Sequence, residues 1–250
     1  MKIVEVTPQN AEKETFFCIK DTKRHGFKDK HQWFEKRFNE GLKIKILKNE
    51  ADKMIGFIEY VPAISAWRPI DAENYMFIHC TYIYSKKDRN KGFASILIED
   101  AEKEAKANGM DGICVMISNG SWLADKTLFE KNGFTKIDTK DRFELLSKTW
   151  GKNSETPKFY NWTSQQKKYQ GWHILYADQC PWNEKSVEAI LNIAMDYGID
   201  LKVSKINTVE KAKNAPSGFG VFNLLRDGRL LEDHYISGTR FRNILKKELK

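Results

Sequence analysis

The sequence predicts an α/β (α+β) protein built as two domains, and three observations support that prediction. The chain has 250 residues, which is more than one ordinary domain. Residues 1–150 alternate short strand patterns with helical patterns, and residues 171–250 run through a second, shorter alternation. Between them, residues 151–170 are rich in Lys, Asn, Ser, Thr and Gln and contain Pro157. We therefore predict domains at 1–150 and 171–250, with 151–170 as a linker.

The predicted strands of the first domain are short apolar or alternating stretches. Residues 43–48 alternate isoleucine with lysine, which indicates a half-buried strand, and the turn Asn49–Lys53 lets the next stretch pair back as a hairpin. Tyr75–Tyr84 is apolar and aromatic enough for a central strand. The predicted strands are Lys2–Val6, Lys43–Lys48, Met54–Val61, Tyr75–Tyr84, Ile113–Ile117 and two strands within Phe134–Lys148.

Helices are predicted where apolar residues recur three or four positions apart. Trp33 and Phe38 have this spacing before Gly41, a residue type that commonly ends a helix. Phe93, Leu97 and Ala101 have the same spacing. The predicted helices are Ala11–Ile19, Lys30–Asn39, one that opens within Arg89–Ala94 and ends at Asn108, and Leu123–Asn132.

The second domain has the predicted order β-α-β-α-β-β-α. Val187, Ile190 and Ala194 lie on one face of its first helix, and Arg226-Asp227-Gly228 predicts a hairpin turn. The predicted elements are strands Trp172–Ala177, Leu201–Ile206, Gly220–Leu225 and Arg229–Tyr235, and helices Glu184–Tyr197, Val209–Lys213 and Thr239–Leu249.

Composition excludes several classes of protein. Hydrophobic residues make up 41% of the chain and charged residues 30%, so it can bury a core. No apolar run approaches the roughly 20 residues of a membrane-spanning helix, and the N-terminal segment turns acidic and polar too early for a signal peptide. We expect a cytoplasmic protein with no membrane partner. The net charge of +8 comes from Lys interspersed with Glu, which disfavours nucleic acid as a partner.

The four cysteines predict neither a disulfide framework nor a metal centre. Cys18, Cys80, Cys114 and Cys180 lie far apart, with no C-x-x-C and no His/Cys cluster at zinc spacing. Reduced thiols and no metal are therefore expected.

The turn Arg89-Asn90-Lys91-Gly92-Phe93-Ala94 lies between a predicted strand and a predicted helix. Such a turn directs backbone N–H groups and the positive end of a helix at one point. Gly92 and Ala94 have little bulk, so a phosphate can approach the main chain, and Arg89 and Lys91 add positive charge. The pattern indicates a phosphate site, although short basic turns with glycine also open ordinary helices.

The same residues resemble the GNAT acetyltransferase superfamily, whose signature is Gln/Arg-x-x-Gly-x-Gly/Ala after its fourth strand. Arg89, Gly92 and Ala94 fill the specified positions, and Leu128-Phe129-Glu130-Lys131-Asn132-Gly133-Phe134 is similar to a later family motif. The resemblance covers residues 1–150. It implies the GNAT acyl-CoA N-acyltransferase fold, with a mixed central sheet.

By this resemblance, acetyl-CoA is the cosubstrate. Its pantetheine arm would lie along Ile83 and Tyr84. Asn119 is a further expected contact or an ordinary turn residue, and Phe129 is assigned to the same cosubstrate site. The pyrophosphate of acetyl-CoA would bind the backbone amides of Arg89, Asn90, Lys91, Gly92, Phe93, Ala94 and Ser95.

The reaction that the resemblance implies is acetyl transfer from a thioester to an amine, which needs a base and a donor to the developing oxyanion. His79 and Cys80 are candidates, and strict alternation places them on opposite faces unless a bulge intervenes. His79 has the better chemistry for a base, with an ordinary pKa of about 6.5; otherwise it is a hydrogen-bonded core histidine. Cys80 is either an acyl-accepting nucleophile or a buried small side chain.

The sequence departs from the family at the usual general acid. Phe129 stands where the family often has a tyrosine, and it cannot protonate a thiolate. Tyr82 and Tyr84 are the alternative donors, unless CoA leaves as a thiolate. For the substrate, Glu59 is a candidate to hold an ammonium group, and Arg68 is either a carboxylate ligand or a surface arginine stacked on Trp67.

The second domain has the element order of the thioredoxin fold. Cys180 follows its first strand at a helix start, where the dipole would lower a thiol pKa. Asn183 occupies the position of a resolving cysteine, and Ala215-Pro216 stands where thioredoxin-like proteins keep a cis-proline. A GNAT domain followed by this module resembles the bacterial YoaP-like acetyltransferases, as do Trp67-Arg68-Pro69 and residues 75–80.

We therefore expect an N-acetyltransferase that acts on a small-molecule or peptide amine, by direct attack in a ternary complex, as a monomer or homodimer. Two alternatives stay open. One is a CoA- or peptide-binding sensor module without turnover, and the other is a monothiol redox-linked protein that uses Cys180. The acceptor cannot be identified from the sequence.

Overall fold

The computed structural model describes residues 1–14, 18–19, 21–24, 26–120, 123–151 and 155–249, and in it the chain separates into two units. The first comprises Met1–Lys20, Phe34–Ala66 and Ile70–Phe159, and the second comprises Asp21–Trp33, Trp67–Pro69 and Tyr160–Lys250. Two short segments that precede residue 150 thus group with the C-terminal part of the chain, and the domain boundaries at 1–150 and 171–250 stay a prediction.

A mixed sheet organises the first unit, and its strand order is β1-β2-β3-β5-β6-β8-β7. Neighbouring strands are antiparallel, except that β5 and β6 are parallel. The strands are β1 (Lys2–Val6), β2 (Lys43–Lys48), β3 (Met54–Pro62), β5 (Tyr75–Ile83), β6 (Gly112–Ser118), β7 (Thr135–Lys140) and β8 (Phe143–Thr149), with a separate antiparallel pair β4 (Ile70–Asp71) and β9 (Lys158–Phe159).

Helix α3 (Phe93–Ala107) packs on one face of this sheet, against β2, β3, β5 and β6. Leu97, Ala101 and Ala105 are buried there, as their spacing predicted, and join Ile78 and Val115 in the core. The other helices of the first part of the chain are α1 (Ala11–Glu14), α2 (Phe27–Phe38) and α4 (Lys126–Lys131).

The second unit has a four-stranded sheet of order β11-β10-β12-β13. β10 pairs in parallel with β11 and antiparallel with β12, and β12 and β13 form a hairpin. Asp227 and Gly228 both have positive φ at its turn, as a tight hairpin requires. The elements are β10 (Trp172–Tyr176), β11 (Leu201–Lys205), β12 (Phe222–Arg226), β13 (Arg229–Glu232), α5 (Thr163–Gln166), α6 (Asn183–Asp196), α7 (Val209–Lys213) and α8 (Gly238–Glu248).

The predicted elements are present with different ends, whereas β4, β9 and α5 were not predicted, and the last two lie within the predicted linker 151–170. The helix predicted to open within Arg89–Ala94 begins at Phe93, because Asn90 and Gly92 have φ of 60° and 79°, which an α-helix does not accommodate. The helix predicted from Leu123 begins at Lys126, where the Asp125 carboxylate accepts a hydrogen bond from the Thr127 N–H. The predicted helix at 11–19 is described only to Glu14, since residues 15–17 lie outside the described part.

Candidate active site

A gap between β5 and β6 is the first feature of the site. The two strands pair from Tyr75 with Gly112 to Ile78 with Val115, and the described residues form no further pair between them. β5 nevertheless continues to Ile83 and β6 to Ser118. The strands therefore diverge beyond Ile78, and an extended molecule can pair with an edge exposed in this way.

The second feature is the open corner where α3 begins, formed by residues 89–92. Gly92 is the N-cap, with φ 79° in the left-handed region, and it has no side-chain cap. A Cβ placed on Gly92 would meet nothing within 4 Å, so a ligand can approach this backbone closely. The first N–H groups of an α-helix have no acceptor within the helix, and Arg89 and Lys91 are exposed beside them. These residues fit a bound diphosphate.

Arg89 connects the open corner with the end of β5. Its Nε lies 3.5 Å from the Ile83 carbonyl oxygen and its Nη2 lies 3.5 Å from the Tyr82 hydroxyl. The guanidinium also lies over the Tyr82 ring, 5.7 Å from its centroid. The Arg89 guanidinium is therefore held at the open end of the gap between β5 and β6.

Asn132 holds the start of α3 in place, and the sequence analysis assigned it no role. Its Nδ2 donates hydrogen bonds to the Ser95 Oγ at 3.0 Å and to the Leu128 carbonyl oxygen at 2.7 Å. Asn132 thereby fixes the end of α4 against the first turn of α3. The motif at residues 128–134 was the only signal for this contact in the sequence.

A β-bulge in β5 decides the faces of His79 and Cys80, which the sequence left open. Glu59 of β3 pairs with Cys80 and Tyr60 pairs with Ile78, so His79 is the extra residue between them. Because cross-strand partners share a face, Cys80 lies on the face of Glu59. The His79 ring is on that face too, since its Nδ1 lies 3.3 Å from Glu59 Oε1.

The Glu59–His79 pair is covered, with the side chains exposed by 2% and 0%. The His79 ring also packs edge-on against Phe77, with centroids 5.4 Å apart. A carboxylate at this distance from a ring nitrogen fixes the orientation of an imidazole. Of the candidate bases, His79 is thus the one held by an acidic partner, and Cys80 is half-buried beside it.

Two tyrosines extend this face toward the end of β5. Tyr82 is 39% exposed, and its ring contacts Tyr84 with centroids 5.6 Å apart. Tyr84 also contacts Phe57. Burial raises the pKa of Tyr84 far above its ordinary value, and the nearby thiols of Cys18 and Cys80 raise it further. Tyr84 therefore keeps its proton and can act only as a donor or as a neutral acceptor.

The two remaining predicted cosubstrate contacts lie in different surroundings. Asn119 is exposed immediately after β6, at the strand end that the resemblance indicated. Phe129 has no exposed surface and packs edge-on against Phe134 in the core. Both contacts stay predictions, and Phe129 would have to become accessible to make one.

Arg68 is buried in the second unit, which corrects the alternative of a surface arginine. Its Nη1 donates to the Trp67 carbonyl oxygen at 2.7 Å, and both terminal nitrogens lie within 3.5 Å of Gln179 Oε1. Its guanidinium lies over the Phe219 ring at 4.9 Å. A substrate carboxylate would have to displace Gln179, so this role stays a prediction.

Cys180 lies before the helix rather than in its first turn, since α6 begins at Asn183. The Cys180 carbonyl oxygen accepts from the Asn183 N–H, and the side chain is half-buried. No described peptide bond is cis, so Ala215–Pro216 is trans, contrary to the expected cis-proline. Any redox role of Cys180 stays a prediction.

Neither a metal-binding cluster nor a membrane-spanning helix occurs among the described residues. No group of three or more His, Cys, Asp or Glu side chains there is arranged to hold a metal ion. No helix among the same residues combines the length and apolarity needed to cross a bilayer.

Comparisons with known proteins agree with this geometry. Residues 9–134 match the model of the acetyltransferase (GNAT) family. The uncharacterized N-acetyltransferase YoaP of Bacillus subtilis (strain 168) is 31% identical over 251 residues, which cover 98% of each chain.

Solved acetyltransferases are similar over smaller parts of the chain. One from Bacillus anthracis str. Ames, in complex with acetyl coenzyme A, is 25% identical, with a TM-score of 0.36 over 44% of this chain and 62% of that one. A ribosomal-protein-alanine N-acetyltransferase from Brucella melitensis is 18% identical, with a TM-score of 0.44 over 60% and 99%. Both TM-scores are below 0.5, so the family assignment rests on the two preceding matches.

The family match spans half of the chain, and the Bacillus subtilis relative matches nearly all of it. The chain is therefore a YoaP-like member of the GNAT acetyltransferase family and an acetyl-CoA-dependent acyltransferase.

Proposed function

We propose that this acyltransferase transfers the acetyl group of acetyl-CoA to an amine, by direct attack while both substrates are bound. The observation that carries the proposal is the gap beyond Ile78, which Arg89 connects to the open corner at Gly92. Such a gap gives a thioester and an amine a common place to meet, so that the reaction becomes effectively unimolecular.

We assign the binding of acetyl-CoA mainly to the backbone. The amides of Arg89–Ser95 would hold the phosphates, Ile83 and Tyr84 would flank the pantetheine arm, and Asn119 would add a contact. The exposed Gly92 and the N-terminal amides of α3 support this assignment. Bound acetyl-CoA supplies an acetyl thioester whose carbonyl carbon an amine can attack.

We propose that His79, oriented by Glu59, accepts the proton of the amine through a bridging water, because its own ring is covered. We expect His79→Gln to lower kcat about 100-fold. Cys80→Ala, changed one residue away, is the control and should keep kcat within about twofold. An unchanged kcat in His79→Gln would contradict the assignment.

Tyr82 and Tyr84 are the proposed proton donors to the departing thiolate, in place of the tyrosine that the family often has at position 129. Tyr82 is the more exposed, whereas the raised pKa of Tyr84 makes it a weak acid that would stabilise the thiolate by a hydrogen bond more readily than by giving up its proton. We also propose that the Glu59 carboxylate attracts the ammonium form of the acceptor. Loss of kcat in Tyr82→Phe, with acetyl-CoA affinity unchanged, would identify Tyr82 as the donor.

A second candidate function is a CoA- or peptide-binding sensor without turnover. Phe129 favours it, because its buried ring carries no proton for the thiolate. A third is thiol-redox chemistry at Cys180, which is half-buried rather than fully covered. Neither alternative requires an amine acceptor.

Steady-state release of the CoA thiol separates these functions. The protein would be mixed with acetyl-CoA and a panel of amines that includes small amines, amino acids, aminoglycosides and peptides with free N-termini. The proposal requires at least one amine to release thiol in equal amount to the acetylated product. Tight CoA binding by calorimetry without thiol release from any amine would favour the sensor instead.

We further propose that the second unit is a thioredoxin-like domain. Its strand order, with β10 parallel to β11 and antiparallel to β12, supports this. A monomer or homodimer in the cytoplasm is the accompanying expectation, which sedimentation and fractionation would test.

A further inference from the structure

Residues 67–69 lie in the loop that joins β3 to β4, yet they pack within the second unit. Trp67 and Arg68 are exposed by only 1% and 2%, and Pro69 is buried as well. A loop segment of three residues that is wholly buried must be held by specific contacts, because loops normally run over the surface.

The guanidinium of Arg68 is the main side-chain contact of this segment. Both of its terminal nitrogens approach Gln179 Oε1, at 3.4 and 3.5 Å, and its plane lies over the Phe219 ring. The planar, delocalised guanidinium suits a site with an aromatic face on one side and an oxygen acceptor at its edge. Gln179 is itself 95% buried, so its oxygen has a fixed position.

The backbone of the segment is held as closely as the side chain. Gly220 has φ 76°, and a Cβ there would lie 3.3 Å from Pro69 Cδ and 3.4 Å from the Trp67 carbonyl oxygen. The Pro69 carbonyl oxygen accepts from the Tyr160 N–H at 2.9 Å. The Trp67 ring packs edge-on against Trp33, with centroids 5.2 Å apart. The segment is therefore fixed at three consecutive residues.

The loop that contains this segment connects the two strands that carry the proposed proton acceptor. β3 ends at Pro62, three residues after Glu59, and β5 begins at Tyr75, four residues before His79. Residues 63–74 are thus the covalent connection between Glu59 and His79. Whatever fixes the middle of that connection limits the freedom of both strand ends.

We infer that Arg68 is a positioning residue for acetyl transfer: by holding the middle of loop 63–74, it keeps the acceptor side of the site in its productive arrangement. The catalytic part of this inference rests on the proposed function. A displacement of about 1 Å in a reacting group can cost about 100-fold in rate, so a remote anchor of this kind is expected to be measurable.

Two substitutions and a matched control test the inference. Arg68→Met keeps an unbranched apolar stem and removes the guanidinium. Gly220→Ala pushes on Pro69, on Trp67 and on the Arg68 backbone, and leaves the guanidinium unchanged. Gly171→Ala is the control, since its φ of 80° imposes the same backbone strain while a Cβ there meets nothing within 4 Å.

The readouts are hydrogen exchange of peptides within residues 63–74, CoA affinity by calorimetry, and kinetics with the best amine of the panel. In both test variants we expect the backbone amides of residues 63–74 to exchange about tenfold faster than in the unchanged protein. The KM for the amine should rise, or kcat should fall, about tenfold. The affinity for CoA should stay within about twofold of that of the unchanged protein. Gly171→Ala should match the unchanged protein in all three.

If residues 63–74 exchange at an unchanged rate in both test variants, Arg68 does not fix the loop. The same conclusion follows if exchange in Gly171→Ala is accelerated as much as in the test variants. Faster exchange with unaltered amine kinetics would overturn the positioning role and leave only a structural one. If the unchanged protein turns over no amine, the proposed function fails, whereas the exchange comparison still decides whether Arg68 fixes the loop.

Discussion

The two units each contain a turn that leads into a long helix, and the two turns differ in what fills them. At the start of α3, the corner around Gly92 is exposed and a Cβ would meet nothing within 4 Å. At the start of α6, Asn183 is buried, and a Cβ on Gly26 would overlap the Pro181 carbonyl oxygen. One corner leaves backbone amides for an anion, whereas the protein's own atoms occupy the other.

The buried amide of Asn183 explains the second turn. Its Nδ2 donates to the Ala177 and Val221 carbonyl oxygens, at 2.9 and 2.8 Å, and so joins the ends of two neighbouring strand segments. A resolving cysteine at this position would lack those two bonds. The comparison teaches that an apparent active-site turn in a sequence can serve structure, and that exposure of the backbone distinguishes the two cases.

The largest expected effect tests the open corner at Gly92. Asn and Asp both tolerate a positive φ, so Gly92→Asn and Gly92→Asp form a pair that is matched in size and differs only in charge. We expect Gly92→Asp to weaken CoA binding about 100-fold, because its carboxylate would face the phosphates, and Gly92→Asn to weaken it only a few-fold. Calorimetry measures both; equal affinities for the two variants would contradict a phosphate site here.

The next effect concerns the filled turn. Asn183→Ala removes two buried hydrogen bonds, to the Ala177 and Val221 carbonyl oxygens, and the Val221 oxygen keeps only its bond from the Ala177 N–H. We therefore expect a loss of about 2–4 kcal/mol in the free energy of unfolding. Urea denaturation followed by far-ultraviolet circular dichroism measures it. Asn119→Ala, at an exposed position, is the control and should change stability by less than about 0.5 kcal/mol. Similar losses in both variants would remove the contrast between the turns.

A smaller effect is expected behind the open corner. Asn132→Ala removes the hydrogen bond to Ser95 and loosens the first turn of α3, so we expect CoA affinity to fall about three- to tenfold. Ser95→Ala removes the same bond from the other side and should behave alike. If Asn132→Ala leaves CoA affinity intact, the contact has no part in shaping the corner.

The smallest effect is the pH dependence of the ion pairs that fix α3. Burial opposes ionisation of Glu102, but hydrogen bonds from Lys106 and Lys148 lower its pKa overall. A carboxyl whose folded pKa is lowered contributes stability above its unfolded pKa, and loses it as pH falls through the folded pKa. Glu102→Gln should therefore cost up to about 1 kcal/mol at pH 7, and the difference from the unchanged protein should vanish in strongly acidic urea titrations. A difference in the free energy of unfolding between the two proteins that does not change with pH would exclude the Glu102 ion pairs as its cause.

Much of the fold followed from local pattern alone. The isoleucine–lysine alternation at 43–48 and the apolar run at 75–83 gave strands at those positions, and the spacing of Leu97, Ala101 and Ala105 gave the buried face of α3. These predictions are confirmed because the side chains of a strand and of a helix each return to the buried face at a fixed spacing along the sequence. The same holds for Gly92, whose lack of a side chain already indicated a close approach of the backbone.

The sequence by itself thus determined the strands, the helices and the glycine corner, since each depends on neighbouring residues. Only the tertiary structure decided that a bulge brings His79 and Cys80 to one face, that Asn132 holds Ser95, and that Arg68 is buried beside Gln179. Those outcomes depend on pairing register and on contacts between residues distant in the chain. One extra residue in a strand reverses every later side chain, so no local pattern contains that information.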